Sequence, residues 1–184
     1  ASNLSSNVFR LHVIANSDSN EDQDLKYKVR DSLINYMKKI TSNITTKEEA
    51  IKIVKEHIAD FENIAQTVVF ENGFNYAVNI EIGKFDFPTK TYGDVSFPSG
   101  YYDALRVKIG EAEGQNWWCV MFPPLCFVDV TSGIIPEESK ENLEENLDSE
   151  SYNLISNNED DIGLNIKFKL IELFQNIGTK LAKE

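Results

Sequence analysis

The chain has 184 residues, of which 41% are apolar and 26% charged, with a formal net charge of −12 at neutral pH. This length suits one domain with a sizeable core. The acidic balance argues against nucleic acid as a partner and against unaided binding to anionic lipid, because both reward clustered lysine and arginine. No apolar run reaches about 18 residues, so the sequence predicts that the chain does not insert into a bilayer.

The first part of the chain predicts one strand followed by two long helices. Residues 8–16 alternate apolar and polar side chains, which is typical of a strand and places Arg10 and His12 on one face. Residues 21–40 carry apolar side chains every third or fourth position after a Ser-Asp-Ser cap, so they predict a helix. A second helix is predicted from a threonine and glutamate capping pattern near residue 46 to the Asn-Gly pair at residue 72.

The middle of the chain predicts a run of strands. The expected strands cover residues 76–85, 102–110, 117–122 and 125–130, with a proline-punctuated stretch between the first two and a bend at Pro123-Pro124 between the last two. A strand, two helices and then several strands predict an α+β domain, in which both helices pack on one face of a largely antiparallel sheet.

The last third differs in composition. Residues 134–161 hold ten acidic residues against one lysine, which predicts an acidic, weakly ordered linker with one exposed helix near 137–147. Residues 162–184 place six apolar residues on one face and predict a C-terminal amphipathic helix. The expected division is a domain at 8–133, the linker at 134–161 and the helix at 162–184.

Three segments in this order resemble the stage II sporulation protein R family. They are residues 10–19 (RLHVIANSDS), residues 87–93 (FPTKTYG) with 98–101 (PSGY), and residues 110–115 (GEAEGQ) running into 116–129 (NWWCVMFPPLCFVD). The resemblance implies a secreted, non-enzymatic signalling protein of endospore-forming Firmicutes. It implies export from the forespore into the space between the two membranes that separate it from the mother cell.

The resemblance also implies a partner. Family members trigger a membrane-embedded aspartic protease, which then removes the pro-sequence from the early mother-cell sigma factor. No cofactor is expected. No metal site is expected either, because His12 and His57 are the sole histidines and no metal-ligand spacing appears.

Cys119 and Cys126 flank the proline pair and are the two cysteines of the chain. They allow two interpretations, a disulfide that closes a small loop or two buried thiols that pack as small apolar residues. The export implied by the resemblance favours the disulfide.

The expected partner-binding surface is the open face of the sheet with its adjoining loops. Its candidate residues are Arg10, His12, Tyr101, Glu111, Glu113, Asn116, Trp117 and Trp118. Adjacent strand residues point to opposite faces, so one tryptophan should enter the core and the other should lie on the open face. Alternatively, the C-terminal helix covers that face and buries both rings.

Two other functions compete with the signalling hypothesis. In the first, the chain is a hydrolase that uses His12 as a general base with a carboxylate such as Asp18 or Asp129, or Glu111 and Glu113 as paired carboxylates. The alternative for the glutamates is a solvent-facing turn, and for His12 a hydrogen-bonded side chain on a polar strand face. In the second, the C-terminal helix binds cell wall or a membrane surface.

Overall fold

The structure is a computed structural model that describes residues 4–126 and 133–156. It confirms the α+β class. Along the chain the elements are α1 (Leu4–Asn7), β1 (Phe9–Ile14), α2 (Asn20–Ile40), α3 (Lys47–Glu56), α4 (Ile58–Glu71), β2 (Val78–Phe87), β3 (Lys90–Tyr92), β4 (Val95–Phe97), β5 (Gly100–Ile109), β6 (Asn116–Phe122), α5 (Glu137–Asn146) and α6 (Ser149–Ser156). The helix predicted at 162–184, most of the strand predicted at 125–130, and Asp129 lie outside the described residues.

The main sheet has four strands in the order β2, β5, β1, β6, and β3 pairs with β4 in a separate hairpin. β1 runs parallel to β5, whereas the other pairs are antiparallel, so the sheet is mostly antiparallel as predicted. Residues in register share a face. Leu11 lies beside Leu105 and Cys119 on one face, and His12 lies beside Arg106 and Trp118 on the other.

Helices α2, α3 and α4 cover the first face of the sheet. Apolar residues of β1, β5 and β6 pack there against apolar residues of these helices. The buried residues of this first core include Leu11, Val13, Leu25, Val29, Leu33, Val54, Phe61, Ala65, Leu105 and Val107. Both predicted helix starts are confirmed. The Ser19 side chain caps α2 by accepting from the Asp22 N–H, and Thr46 with Glu49 forms a capping box on α3.

The second predicted helix is broken at His57, which is a correction. His57 leaves the helical conformation (φ −109°, ψ 16°), so α3 ends and α4 begins there. The Tyr36 hydroxyl of α2 lies 2.9 Å from His57 Nδ1 and donates to Asp60 Oδ2 at 2.8 Å. This contact fixes the junction between α3 and α4 against α2, an interaction between distant segments that periodicity does not reveal.

A second core covers half of the other face. Its buried apolar residues come from α1, β2, β4, β5, β6, α5 and α6, and include Leu4, Phe87, Phe97, Tyr102, Val120, Leu143 and Ile155. In the described part of the acidic segment, α5 (Glu137–Asn146) lies where a helix was predicted near residues 137–147, and α6 follows it. Ile135, Leu143, Leu147 and Ile155 of this segment are buried in the second core, whereas its described glutamates are exposed. Asp94 anchors it by accepting from the Ile135 N–H at 3.0 Å and pairing with Lys140 at 2.7 Å.

The loop between β5 and β6 packs closely on the chain that leaves β1. Backbone N–H groups of Glu113 and Gly114 donate to the carbonyl oxygens of Asn16 and Ala15, at 3.2 and 2.9 Å. A Cβ atom on Gly114 would overlap the Ser17 carbonyl group and lie 2.6 Å from its carbon. Glycine is therefore required at position 114 by close backbone approach.

We predict that Gly114→Ala lowers the free energy of unfolding by about 2–3 kcal/mol, because a backbone carbonyl cannot move aside as a flexible side chain can. The matched control is Gly73→Ala, where an added Cβ meets nothing within 4 Å and only the positive φ of 84° opposes the change. That control should cost about 1 kcal/mol. Urea unfolding measures both, and equal losses would contradict the close approach.

Candidate interaction surface

Four side chains form one row across the second face, at the margin of the second core. They are Glu81 on β2, Arg106 on β5, His12 on β1 and Trp118 on β6, each in register with its neighbour. We call them the cross-strand row. The next residues toward the sheet end are Asn79, Lys108, Ile14 and Asn116, which are half-buried or exposed. Burial thus falls along β1 from Arg10 to Ile14, and the cross-strand row lies where the second core ends.

His12 is held against Trp118 as the central contact of the cross-strand row. Its ring stacks on the indole with 3.7 Å between centroids and 13° between planes, and it meets the edge of Phe87 at 5.9 Å. Nε2 lies 2.8 Å from the Asn116 side-chain oxygen, which can only accept, so Nε2 carries the proton. Only 6% of His12 is exposed.

The pKa of His12 is lowered to about 4, mainly by burial; the hydrogen bond to Asn116 opposes this shift, and the cations of Arg106 and Lys108 add to it. The imidazole is therefore neutral at neutral pH. Within the described part of the chain His12 has no hydrogen bond to a carboxylate, and Asp18 instead accepts from the Gln115 N–H at 2.7 Å. These contacts do not assemble the base and carboxylate pair that the hydrolase alternative requires.

Two cavities lined by described residues lie away from the cross-strand row. They enclose about 440 and 420 Å³ beside the loop between α2 and α3, and His12 lines neither. The described residues contain no cluster of metal-ligating side chains.

An ion group lies at the other end of the cross-strand row. The Arg106 guanidinium donates to Glu81 Oε1 from Nε at 2.8 Å and from Nη2 at 2.5 Å, and Lys108 Nζ lies 3.4 Å from the same oxygen. The hydrogen bond from Arg106 lowers the pKa of Glu81. The guanidinium also covers the Phe85 ring at 3.9 Å. Two cations share one carboxylate, so this part of an acidic protein carries a net positive charge.

Arg10 is not part of the exposed surface, which corrects the expectation from strand alternation. It is fully buried in the second core, with its guanidinium carbon 4.4 Å from the Phe87 centroid and 4.7 Å from that of Tyr102. Its Nη2 donates to the Tyr92 hydroxyl at 2.9 Å. Aromatic faces attract cations, so this ring cluster holds a charge for which sequence alone predicts solvent.

The two tryptophans point to opposite faces, as strand alternation predicts, but both are half-buried. Trp117 lies on the helix side, where Arg30 covers its ring at 4.2 Å and Tyr27 meets it edge-on at 6.0 Å. Trp118 belongs to the cross-strand row. Trp118 therefore remains a candidate for partner contact on the second face, whereas Trp117 forms the margin of the first core.

The remaining candidates are separated by the fold. Tyr101 is 69% exposed, yet its position in β5 places it on the helix side of the sheet, away from Trp118. Glu111 and Glu113 are exposed in the β5–β6 loop, and Asn116 joins the cross-strand row through His12. The structure thus brings His12, Asn116 and Trp118 together and leaves Tyr101 apart from them.

Sequence reasoning missed a polar junction beneath the β5–β6 loop, formed around Asp22 and Lys26 of α2. Asp22, 4% exposed, accepts from Asn16 Nδ2 at 2.8 Å and from Ser17 Oγ at 2.5 Å. Burial raises the pKa of Asp22, but these hydrogen bonds outweigh it and the net shift is downward. Lys26, 1% exposed, donates to the Gln115 carbonyl at 3.1 Å. The available signal was the acidic first turn of α2, which indicates helix capping but not burial.

Cys119 Sγ and Cys126 Sγ are joined in the structure, and the described chain has no free cysteine. The bridge holds the turn after β6 against that strand. There the N–H groups of Leu125 and Cys126 both donate to the Val120 carbonyl, at 3.1 and 2.9 Å.

Comparison with known proteins places these features in a family. The sequence model of the family described as stage II sporulation protein R matches residues 5–132. Stage II sporulation protein R of Bacillus subtilis (strain 168) is 35% identical over 176 residues, which cover 90% of this chain and 79% of that protein. The chain belongs to the stage II sporulation protein R family. The matched range contains the whole cross-strand row and the polar junction. No solved structure matches the chain.

For this family member we predict that stability falls as the pH drops from about 6.5 toward 4. The unfolded chain then protonates His12 while the folded chain does not, so protonation favours unfolding. Between pH 7 and pH 5 the loss attributable to His12 should be about 1–2 kcal/mol, allowing for residual solvent access. Urea unfolding at both pH values measures it. His12→Gln should lose this part of the pH dependence, and an unchanged dependence in that variant would contradict the assignment.

We also predict that replacing both cysteines by serine lowers the free energy of unfolding by about 2–3 kcal/mol, because the bridge restricts the unfolded chain over a short loop. Thiol labelling of the denatured, unreduced protein checks the starting state. Two reactive sulfhydryls in exported material would show that the bridge does not form there.

Proposed function

We propose that this protein is an exported signalling ligand that activates the membrane-embedded aspartic protease of sporulation, and so triggers processing of the pro-form of the early mother-cell sigma factor. Membership in the stage II sporulation protein R family supports the sporulation role. The observation that carries the docking part is the partly exposed cross-strand row, where a half-buried indole and a net positive ion group adjoin on the sheet.

The side chains on this surface are those that contribute most to protein contacts. Tryptophan and arginine are enriched where binding energy concentrates, especially when neighbouring side chains exclude water. Trp118 is stacked on His12, and Arg106 is held by Glu81, so both lose little freedom on binding. The surface is thus preorganised for a partner that offers an apolar group beside Trp118 and an acidic group beside Lys108.

Activation in this proposal requires no chemistry from the ligand. A ligand that binds the active arrangement of its receptor more tightly than the inactive one shifts the population toward the active form. The ligand acts in the space between the forespore and mother-cell membranes. The disulfide supports export, since such bridges persist in oxidising compartments. No helix among the described residues has the length and apolar character needed to cross a bilayer.

We predict that Trp118→Ala lowers receptor activation by about tenfold or more, the effect of losing a central aromatic contact. Lys108→Glu should act in the same direction, because it reverses the charge offered to the partner while leaving the core intact. Tyr101→Ala is the matched control, an exposed aromatic on the other side of the sheet, and should activate like the parent protein.

The measurement adds each purified protein to vesicles that contain the receptor protease and the pro-sigma factor, and follows release of the processed factor. Far-UV circular dichroism and urea midpoints confirm that each variant is folded. Full activation by Trp118→Ala and Lys108→Glu together would remove the cross-strand row from the interface. Absence of activation by the parent protein would overturn the proposed function itself.

A further inference from the structure

The outer edge of β2 carries backbone groups that have no partner among residues 4–126 and 133–156. Gly110 N–H donates to the Ala77 carbonyl at 2.9 Å, so odd-numbered residues of β2 bond toward β5 and even-numbered ones face outward. The first outward group is capped, because the Val78 N–H donates to Gln66 Oε1 of α4 at 3.1 Å. The next four outward residues, Ile80, Ile82, Lys84 and Asp86, have no such partner among the described residues.

The opposite edge of the sheet is partly covered. The Trp118 carbonyl on β6 accepts from the Tyr92 hydroxyl at 2.9 Å, and the Val120 carbonyl accepts from the turn that the disulfide holds. Two outward carbonyl groups of β6 therefore have partners, whereas the outward groups of β2 from Ile80 to Asp86 have none among the described residues. An open strand edge is a template for a further strand, and folds that do not use it normally cover it.

The outward row of β2 also has a definite side-chain pattern. Ile82 is half-buried, whereas Lys84 and Asp86 are exposed and make no ion pair with a described residue. A strand added here would thus meet an apolar residue, then a positive charge, then a negative one. Glu81 of the cross-strand row lies on the same strand, so the edge is continuous with the candidate surface.

We propose that a protein partner adds an extended segment along β2 from Ile80 to Asp86, with an apolar side chain beside Ile82 and an acidic one beside Lys84. Backbone hydrogen bonds supply affinity in this mode and the alternate side chains supply specificity. Naming the receptor protease as that partner rests on the proposed function.

A second copy of this chain fits the edge less well. Antiparallel self-pairing about Phe85 would match Lys84 with Asp86, but Pro88 has no N–H to donate and would end the ladder opposite Ile82. Each chain also carries a net charge of −12, which opposes association of two copies.

The test compares Lys84→Pro with Lys84→Ala in binding to vesicles that contain the full-length receptor protease. The Lys84 N–H faces outward, so proline there removes no hydrogen bond to β5 and is tolerated on an edge strand. Both variants lose the side chain, but only proline blocks the added strand. We expect at least about tenfold weaker binding for Lys84→Pro and at most about threefold for Lys84→Ala, which loses one exposed charge contact. Hydrogen exchange of the outward amides of β2 should slow in the bound parent protein.

Each other outcome is decisive. Equal binding by parent and Lys84→Pro would overturn strand addition, and so would equally large losses in both variants, which would assign the effect to the lysine side chain. Sedimentation that shows a dimer of the parent protein and a monomer of Lys84→Pro would assign the edge to a second copy and overturn the heterologous partner. Failure of the parent protein to bind would instead overturn the proposed function.

Discussion

The two-residue period of β1 is the constraint on which the rest of the structure depends. This central strand is paired on both sides, so its side chains can only point to one face of the sheet or the other. Leu11 and Val13 enter the core beneath the helices, while Arg10 and His12 face the second side. The same register places Arg106 and Trp118 beside His12 and so creates the cross-strand row.

Arg10 shows how the second face is divided into a buried half and an accessible half. Its guanidinium is enclosed by aromatic rings from β2, β4 and β5, and its hydrogen bond reaches Tyr92, whose hydroxyl donates to the Trp118 carbonyl. A buried cation is costly unless its surroundings compensate the charge, and here rings and one hydroxyl share that role. The β3–β4 hairpin is thereby tied to the strand that carries Trp118, so the second core supports the surface beside it.

Local signals in the sequence predicted much of the fold. Alternation predicted β1 and the opposite directions of Trp117 and Trp118, and the capping residues Ser19 and Thr46 marked two helix starts. These features depend on neighbours within a few positions. The break at His57 escaped prediction because it depends on Tyr36, twenty-one residues away.

Features that depend on distant partners were not predictable in this way. Burial of Arg10 requires Phe87, Phe97 and Tyr102 from three later strands, and burial of Lys26 requires the carbonyl of Gln115. Composition did not reveal the packing of the acidic segment, in which Leu143 and Ile155 are buried in one cluster with Leu4 of α1 and Phe97 of β4. The sequence identified His12 and Trp118 as candidates for the site. It did not predict their stacking, because that contact depends on the register between β1 and β6.

The central claim is that this protein acts by occupying its receptor and not by catalysis. The most direct measurement titrates the purified protein against vesicles with a known amount of receptor protease, and records bound protein and pro-sigma factor cleavage in the same samples. The account predicts that cleavage rises in proportion to occupancy, saturates with the binding curve and stops when the bound protein is washed away. Full activation at a small fraction of occupancy that persists after washing would indicate turnover by the protein, and would contradict the account.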